Sequence, residues 1–315
     1  MDKNKSLHEK LDEKIDKLLE LFLKDKPETS QSAYLNALKY FSEFIKMPIK
    51  NAIKRLISNE KLEMHSLVLN FKTDMLNKKL SPNTINLRLA VLRSLIKLAN
   101  KMDMTNNLLL STNVPSKIIN DMCGPSDVEI MLIKNSIIKS GTTRRKEITA
   151  LRDMAIFSLN YYLGLRISEI INIKIQDTNI KDGYIKFYSK KVDQKININD
   201  NLKLVLTDWI NVRNNEQNSN SLYLFTNRSA ACKNSIEKLS RPGQYLRIKK
   251  IGERSGITGK LSSNRIRHSA ITQALNKTNG NIQAVSEFAR HKNINSTKLF
   301  DDSIIDFHKK ISDLL

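Results

Sequence analysis

Cysteine is nearly missing from this 315-residue chain, with only Cys123 and Cys232 present. Two isolated thiols supply neither a disulfide framework nor zinc-ligand spacing, so a reducing, cytoplasmic setting is expected. Glycine (9) and proline (6) are scarce, which leaves room for long helices. No apolar run approaches the roughly 18 residues of a membrane helix. The N-terminus, MDKNKSLHEKLDEK, lacks the apolar stretch of a signal peptide. Internal repeats and low-complexity tracts are absent from the sequence. Acidic residues are also in deficit: 32 Asp+Glu against 53 Lys+Arg gives a formal charge of +21. A lysine-rich solvated surface from an AT-rich genome accounts for part of this. A polyanionic partner accounts for it better, because such an excess is the electrostatic footprint of nucleic-acid binding. The length favours two domains over one.

What is present is mostly helical periodicity. Residues 1–27 form one charged amphipathic helix, with Leu11, Ile15, Leu18, Leu19 and Phe22 on one side. In ETSQSAYLNALKYFSEFI, Thr29 and Ser30 stand as capping residues, and Tyr34, Leu38, Phe41 and Ile45 follow at helical spacing. In SPNTINLRLAVLRSLIKLANK, Ser81 can cap and Pro82 suits the first turn. Ile85, Leu89, Leu92, Ile96 and Ala99 make its buried stripe, while Arg88, Arg93 and Lys97 occupy other faces. These helices mark a helical domain over 28–111. Periodicity breaks through Pro115, Gly124 and Pro125, which places a linker at 112–126. A second domain, 127–315, opens on a helix capped by Ser126 or Asp127. It contains one strand-like insertion, GYIKFYSKKVDQKININDN. There Tyr184, Lys186 and Tyr188 alternate with Ile185 and Phe187, which predicts a β-hairpin with a polar turn near 189–194.

Chemistry concentrates in the second domain. In RDMAIFSLNYYLGLRISEI, a buried helix breaks at Gly164 and another starts around Arg166, Ser168 and Glu169. Arg166 between Leu165 and Ile167 is badly placed for a solvated charge. It is either a structural partner of Glu169 or a planar fork that Glu169 holds toward a phosphate. In LSSNRIRHSAITQAL, Arg265, Arg267 and His268 crowd a helix start, where anions are favoured. GNIQAVSEFARHKN then presents Arg290 and His291 at a helix end.

Taken in order, the arginine in GLRISE, the lysine-bearing hairpin, the Arg267-His268 pair, the later His291 and the aromatic Phe300 resemble the catalytic domain of the tyrosine recombinases. This is the phage-integrase family, and the likeness is to a Xer-like or plasmid and mobile-element branch. The resemblance implies a mainly α fold with a small β-sheet in the C-terminal domain, built like the DNA breaking–rejoining enzymes, with a SAM-like helical N-terminal domain. It implies a clamp on duplex DNA, no metal and no cofactor. A site-specific recombination reaction would run through a 3′-phosphotyrosyl link with a free 5′-hydroxyl. Arg166 and Arg267 would neutralise the phosphorus-centred transition state, with Glu169 in support. Lys190, or its rival Lys191, would protonate the leaving oxygen, and His291 would contact the phosphate. Arg88, Arg93, Lys97, Lys191, Arg241, Arg247 and Lys249 become candidate DNA contacts. The tail after 300, with Ile304, Phe307, Ile311 and Leu314 at helical spacing, would form a helix exchanged between subunits of a homo-tetramer on two DNA sites. An RNA-binding helical protein would share the charge but gives no reason for paired arginines beside an aromatic.

Two positions depart from the family pattern. Asn264 stands where the family has a histidine, and it can donate to a phosphate oxygen but cannot shuttle a proton. His268 is a helix-packing residue in this reading. Phe300 stands at the nucleophile position and has no oxygen to attack with. A Tyr→Phe variant that binds DNA without cleaving it is the preferred explanation. A natural, non-catalytic DNA-binding protein on an integrase fold is the alternative.

Overall fold

The computed structural model describes residues 2–58, 60–109, 113–115, 124–189, 192–215, 221–226, 238–257, 259–291, 293–298 and 300. The chain divides into two compact units, Met1–Ile119 and Asn120–Leu315. Most of the expected linker, 112 and 116–123, lies outside the described residues.

The described residues of the first unit form five helices: α1 (Asp2–Lys24), α2 (Glu28–Ile45), α3 (Ile49–Ser58), α4 (Lys61–Asn77) and α5 (Pro82–Lys101). The apolar side of α1 is covered from within, since Ile15, Leu18 and Phe22 belong to the same buried core as α2–α5. Phe71 anchors that core, its ring 5.1 to 6.1 Å from those of Tyr40, Phe41 and Phe44. The caps of α5 follow the sequence: the Ser81 hydroxyl accepts from the Thr84 N–H at 3.2 Å and Pro82 fills the first turn. The start of α2 differs. Its N-cap is Pro27, with no side-chain cap bond, and Thr29 and Ser30 lie inside the helix. The fixed φ of proline and the acidic Glu28 in the first turn suit that start without a hydroxyl cap.

In the second unit, α6 (Asp127–Lys139) opens on a capping box between Ser126 and Glu129, and α7 (Arg144–Tyr162) is the central helix. Ile156 and Leu159 of α7 join one core, with the sheet and Trp209 of α9 (Asp200–Asn214). Ala150 and Phe157 join another, between α6 and α10 (Arg241–Ser255). Two faces of α7 are therefore fixed by apolar packing, which sets where its C-terminal end lies. Beyond it come α8 (Ile167–Ile170), a three-residue 3₁₀ turn (Ile175–Asp177), β1 (Thr178–Asn179), β2 (Tyr184–Ser189) and β3 (Val192–Asn197). The sheet is antiparallel in the order β1-β2-β3. Ile185 and Phe187 are its buried side and Tyr188 is exposed. The hairpin is tighter than expected: Ser189 pairs with Val192, so Asp193 and Gln194 belong to β3 rather than to the turn. Lys190 and Lys191 lie outside the described residues, as does the whole tail from 301. The last helices among the described residues are α11 (Ser263–Lys277), α12 (Ile282–Ala289) and α13 (Asn295–Lys298).

Because each unit has its own core, Phe71→Ala is expected to destabilise the first alone, by about 3–5 kcal/mol. Urea unfolding followed by far-ultraviolet circular dichroism should show an earlier transition. The fluorescence of Trp209, the sole tryptophan, should keep its midpoint. A joint shift of both signals would show that the units do not unfold separately.

Candidate active site

The site begins at the C-terminal end of α7. Gly164 has φ of 54°, in the left-handed region open to glycine. A Cβ there would also meet the Phe288 ring at 3.2 Å. The turn delivers Arg166 to the N-cap of α8, where the Glu169 carboxylate holds it twice. Oε2 accepts from the Arg166 backbone N–H at 2.8 Å, and Oε1 accepts from its guanidinium at 3.2 Å. Glu169 is 5% exposed, so the helix turn buries a carboxylate that a cation must accompany.

The first turn of α11 lies against the same end of α7. Asn160, 1% exposed, joins the two. Its side-chain N–H donates to the Leu165 carbonyl at 2.7 Å, and its carbonyl oxygen accepts from the Ser263 hydroxyl at 3.2 Å. One buried amide thus fixes the turn that precedes Arg166 relative to the turn that carries Arg267. Arg267 is buried and donates to the carbonyls of Gly164 and Ala289. Burial first, then Arg166 and Arg290, pushes its guanidinium down to about 9, which Glu169 opposes. It stays charged at neutral pH. A cation held below its ordinary value costs stability throughout the range below about pH 9, so an anion at this position would be favoured.

Arg290 completes the cluster. Its side chain ion-pairs with Glu169 at 3.6 Å, with 8% of it exposed, and donates to the Gly164 carbonyl at 2.7 Å. Burial lowers its pKa and Glu169 raises it in part. His291 follows directly, its Nδ1 2.8 Å from the hydroxyl of the fully buried Thr297. The Phe300 ring lies 6.3 Å from the His291 ring and 4.8 Å from that of His268. It is 7% exposed in a core with Ile271, Leu275, Val285 and Ala289. His268 therefore packs on the aromatic ring. Asn264 is exposed on the first turn of α11.

Arg166, Glu169, Arg267, His291 and Phe300 thus gather at the meeting of α7, α8, α11 and α12. The corner carries three guanidinium groups against one internal carboxylate, a surplus of positive charge that favours an oxyanion. Asn160 and Thr297 were not among the sequence candidates, and Arg290 was noted only at the helix end beside His291, without a role. An asparagine inside the apolar run of α7 was the one visible signal for Asn160. Of the other candidates, Arg88 stacks on Tyr40 with its guanidinium carbon 3.5 Å from the ring centroid. Arg93 donates to the Asn113 side chain at 2.8 Å. Lys97 and Arg241 are exposed, and Lys249 lies 3.6 Å from Glu253. Arg247 is drawn inward, its Nε donating to the buried carboxylate of Asp153 at 2.6 Å.

Glu169→Ala removes the only carboxylate paired with Arg166 and Arg290 among the described residues. Leaving buried guanidinium charge uncompensated is expected to cost about 3–5 kcal/mol, read as a lower urea midpoint of Trp209 fluorescence. A loss below about 1 kcal/mol would show that the arginines do not depend on this carboxylate.

Known proteins point the same way. The profile of the Phage integrase family matches residues 135–303, more than half of the chain. A tyrosine recombinase of Synechocystis sp. is 27% identical over 307 residues, covering 95% of this chain and 94% of the relative. One from Synechococcus elongatus is 28% identical over 282 residues, 85% of this chain and 82% of its own. In fold, the chain is similar to the XerH site-specific recombinase solved in a post-cleavage complex with its difH substrate. The TM-score is 0.70 at 17% identity, over 90% of this chain and 80% of that one. The chain, mainly helical with a small antiparallel sheet, belongs to the phage integrase family of tyrosine recombinases.

Proposed function

We propose that this chain is a site-specific DNA recombinase in architecture, with Phe300 at the nucleophile position, so that it binds a recombination site without cutting it. The observation that carries the reading is the position of the Phe300 ring. It lies against His268 and His291 and shares a core with Ala289, whose carbonyl accepts from Arg267. With a tyrosine at 300, the phenol would release its proton to solvent as its oxygen attacks the scissile phosphorus and the bond to the 5′-oxygen breaks. The leaving oxygen would take its proton from Lys190 or, failing that, Lys191 in the hairpin turn. The two site arginines would carry the charge that grows on the non-bridging oxygens, a preorganised arrangement worth more in a buried site than in water. The strand end would stay on the protein as a 3′-phosphotyrosyl ester. A 5′-hydroxyl from a partner strand would reverse the step, with no cofactor. Asn264 would hold a phosphate oxygen without moving a proton.

DNA affinity on this reading comes from phosphate contacts of both units, with Arg88, Arg93, Lys97, Lys191, Arg241 and Lys249 contributing. Binding should therefore weaken linearly in log–log terms with salt. A homo-tetramer on two sites, joined through the tail after 300, completes the assembly. A Tyr→Phe substitution explains why Arg166, Glu169, Arg267 and His291 are all still in place. The second reading, a natural DNA-binding protein without chemistry, is favoured by the second departure at Asn264.

Phe300→Tyr tests the choice. Incubated with a nicked suicide duplex of its site, the variant is expected to give a covalent protein–DNA adduct on a denaturing gel. Adding Arg267→Gln should slow adduct formation by about 10²–10³-fold. A Phe300→Tyr chain that binds the site yet forms no adduct would support the non-catalytic binder.

A further inference from the structure

Arg290 stands where a helix end ordinarily takes glycine. Its φ of 54° and ψ of 43° are left-handed, a conformation that side chains disfavour. The Arg290 N–H donates to the Glu287 carbonyl and the His291 N–H to the Ser286 carbonyl, both at 3.0 Å. That pair of bonds closes α12 and turns the chain, which sets where His291 begins. The side chain then runs back across the site. Nη1 donates to the carbonyls of Leu163 at 3.2 Å and Phe288 at 2.9 Å, and Nη2 donates to that of Gly164 at 2.7 Å. Nη2 also lies 3.6 Å from Oε2 of Glu169, the same oxygen that accepts from the Arg166 backbone N–H. Leu163 and Gly164 end α7, where the helix dipole places partial negative charge and carbonyls lack helical partners.

We infer that Arg290 is a positioning residue that couples the two arms of the site. Its backbone shapes the turn that presents His291, and its guanidinium grips the Gly164 turn and the carboxylate that orient Arg166. The coupling keeps one spacing between Arg166 and His291, the spacing a single phosphate must span. The fork is needed for this, because it reaches three carbonyls and a carboxylate from one residue. A space-filling side chain would meet the backbone penalty without making any of those bonds. Arg290 also adds a third positive charge beside one carboxylate, so the site retains a surplus for an anion. This inference rests on the reading of the corner as a phosphodiester site.

The test uses the full chain in two backgrounds. In Phe300→Tyr, Arg290→Gly is expected to slow single-turnover cleavage of the nicked duplex by about 10- to 100-fold. The Kd for the duplex should shift by less than about threefold, and Arg290→Lys should recover part of the rate. Glycine suits the left-handed backbone, so the variant should fold. If it melts early, Arg290→Lys alone is read by the same measures. In the unaltered Phe300 chain, the His291 imidazole resonance, assigned by its loss in His291→Gln, should move and change its titration midpoint in Arg290→Gly. An unchanged cleavage rate, or an unmoved His291 resonance, overturns the inference. If Phe300→Tyr forms no adduct but the resonance moves, the cleavage reading fails and the coupling by Arg290 stands.

Discussion

The Glu169 carboxylate is the point on which the arginine cluster of the second unit depends. It is buried, and no carboxylate stays ionised in a protein interior without cations and donors around it. Here the Arg166 backbone N–H and guanidinium and the Arg290 guanidinium surround it. The same contacts work in the other direction, because buried guanidinium groups need a partner as much as the carboxylate does. A single acid thus makes it possible to keep three arginines at one corner. They exceed it in number, so the corner remains positive. Neutral pairing would have been better for stability alone; a surplus of positive charge is what an incoming phosphate needs.

Apolar packing supplies the rigidity that this electrostatic arrangement requires. α7 is held on two faces by separate cores, and its end carries the Leu163–Leu165 turn. Asn160 links that turn to α11, and Arg290 links it to α12. Both side chains donate to backbone carbonyls of that turn, Asn160 to Leu165 and Arg290 to Gly164, so they fix the position of the turn and not only of side chains. Donors preorganised in this way need no rearrangement when charge develops on a substrate.

Much of this was legible in the chain itself. The stripe of α5, the break at Gly164 and the alternation of β2 each follow from local periodicity, and the ordered set from Arg166 to Phe300 follows from residue types and their order. What escaped was mostly non-local. Arg247, exposed by its place in a basic helix, turns to Asp153, which is 94 residues away. Nothing at either position announces that pairing. Arg290 looked like the polar neighbour of His291, because bonds from its guanidinium to the carbonyls of Leu163 and Gly164 exist only once α7 and α12 meet. The two-residue strand β1 is too short for any alternation. The start of α2 was misjudged for a local reason: proline's fixed φ set the helix boundary ahead of the hydroxyls at Thr29 and Ser30.

On the proposed reading, fold and activity part at one atom of residue 300. Its ring fills a pocket made by Ile271, Leu275, Val285 and Ala289 and lies against two imidazoles. A phenylalanine buries the same ring as a tyrosine and needs no hydrogen-bond partner when buried. Packing in that core is therefore satisfied without the phenol oxygen, and the helices that carry Arg267 and His291 are held in place all the same. Nothing in the stability of the unit calls for an oxygen at 300; only the transfer of a phosphoryl group would.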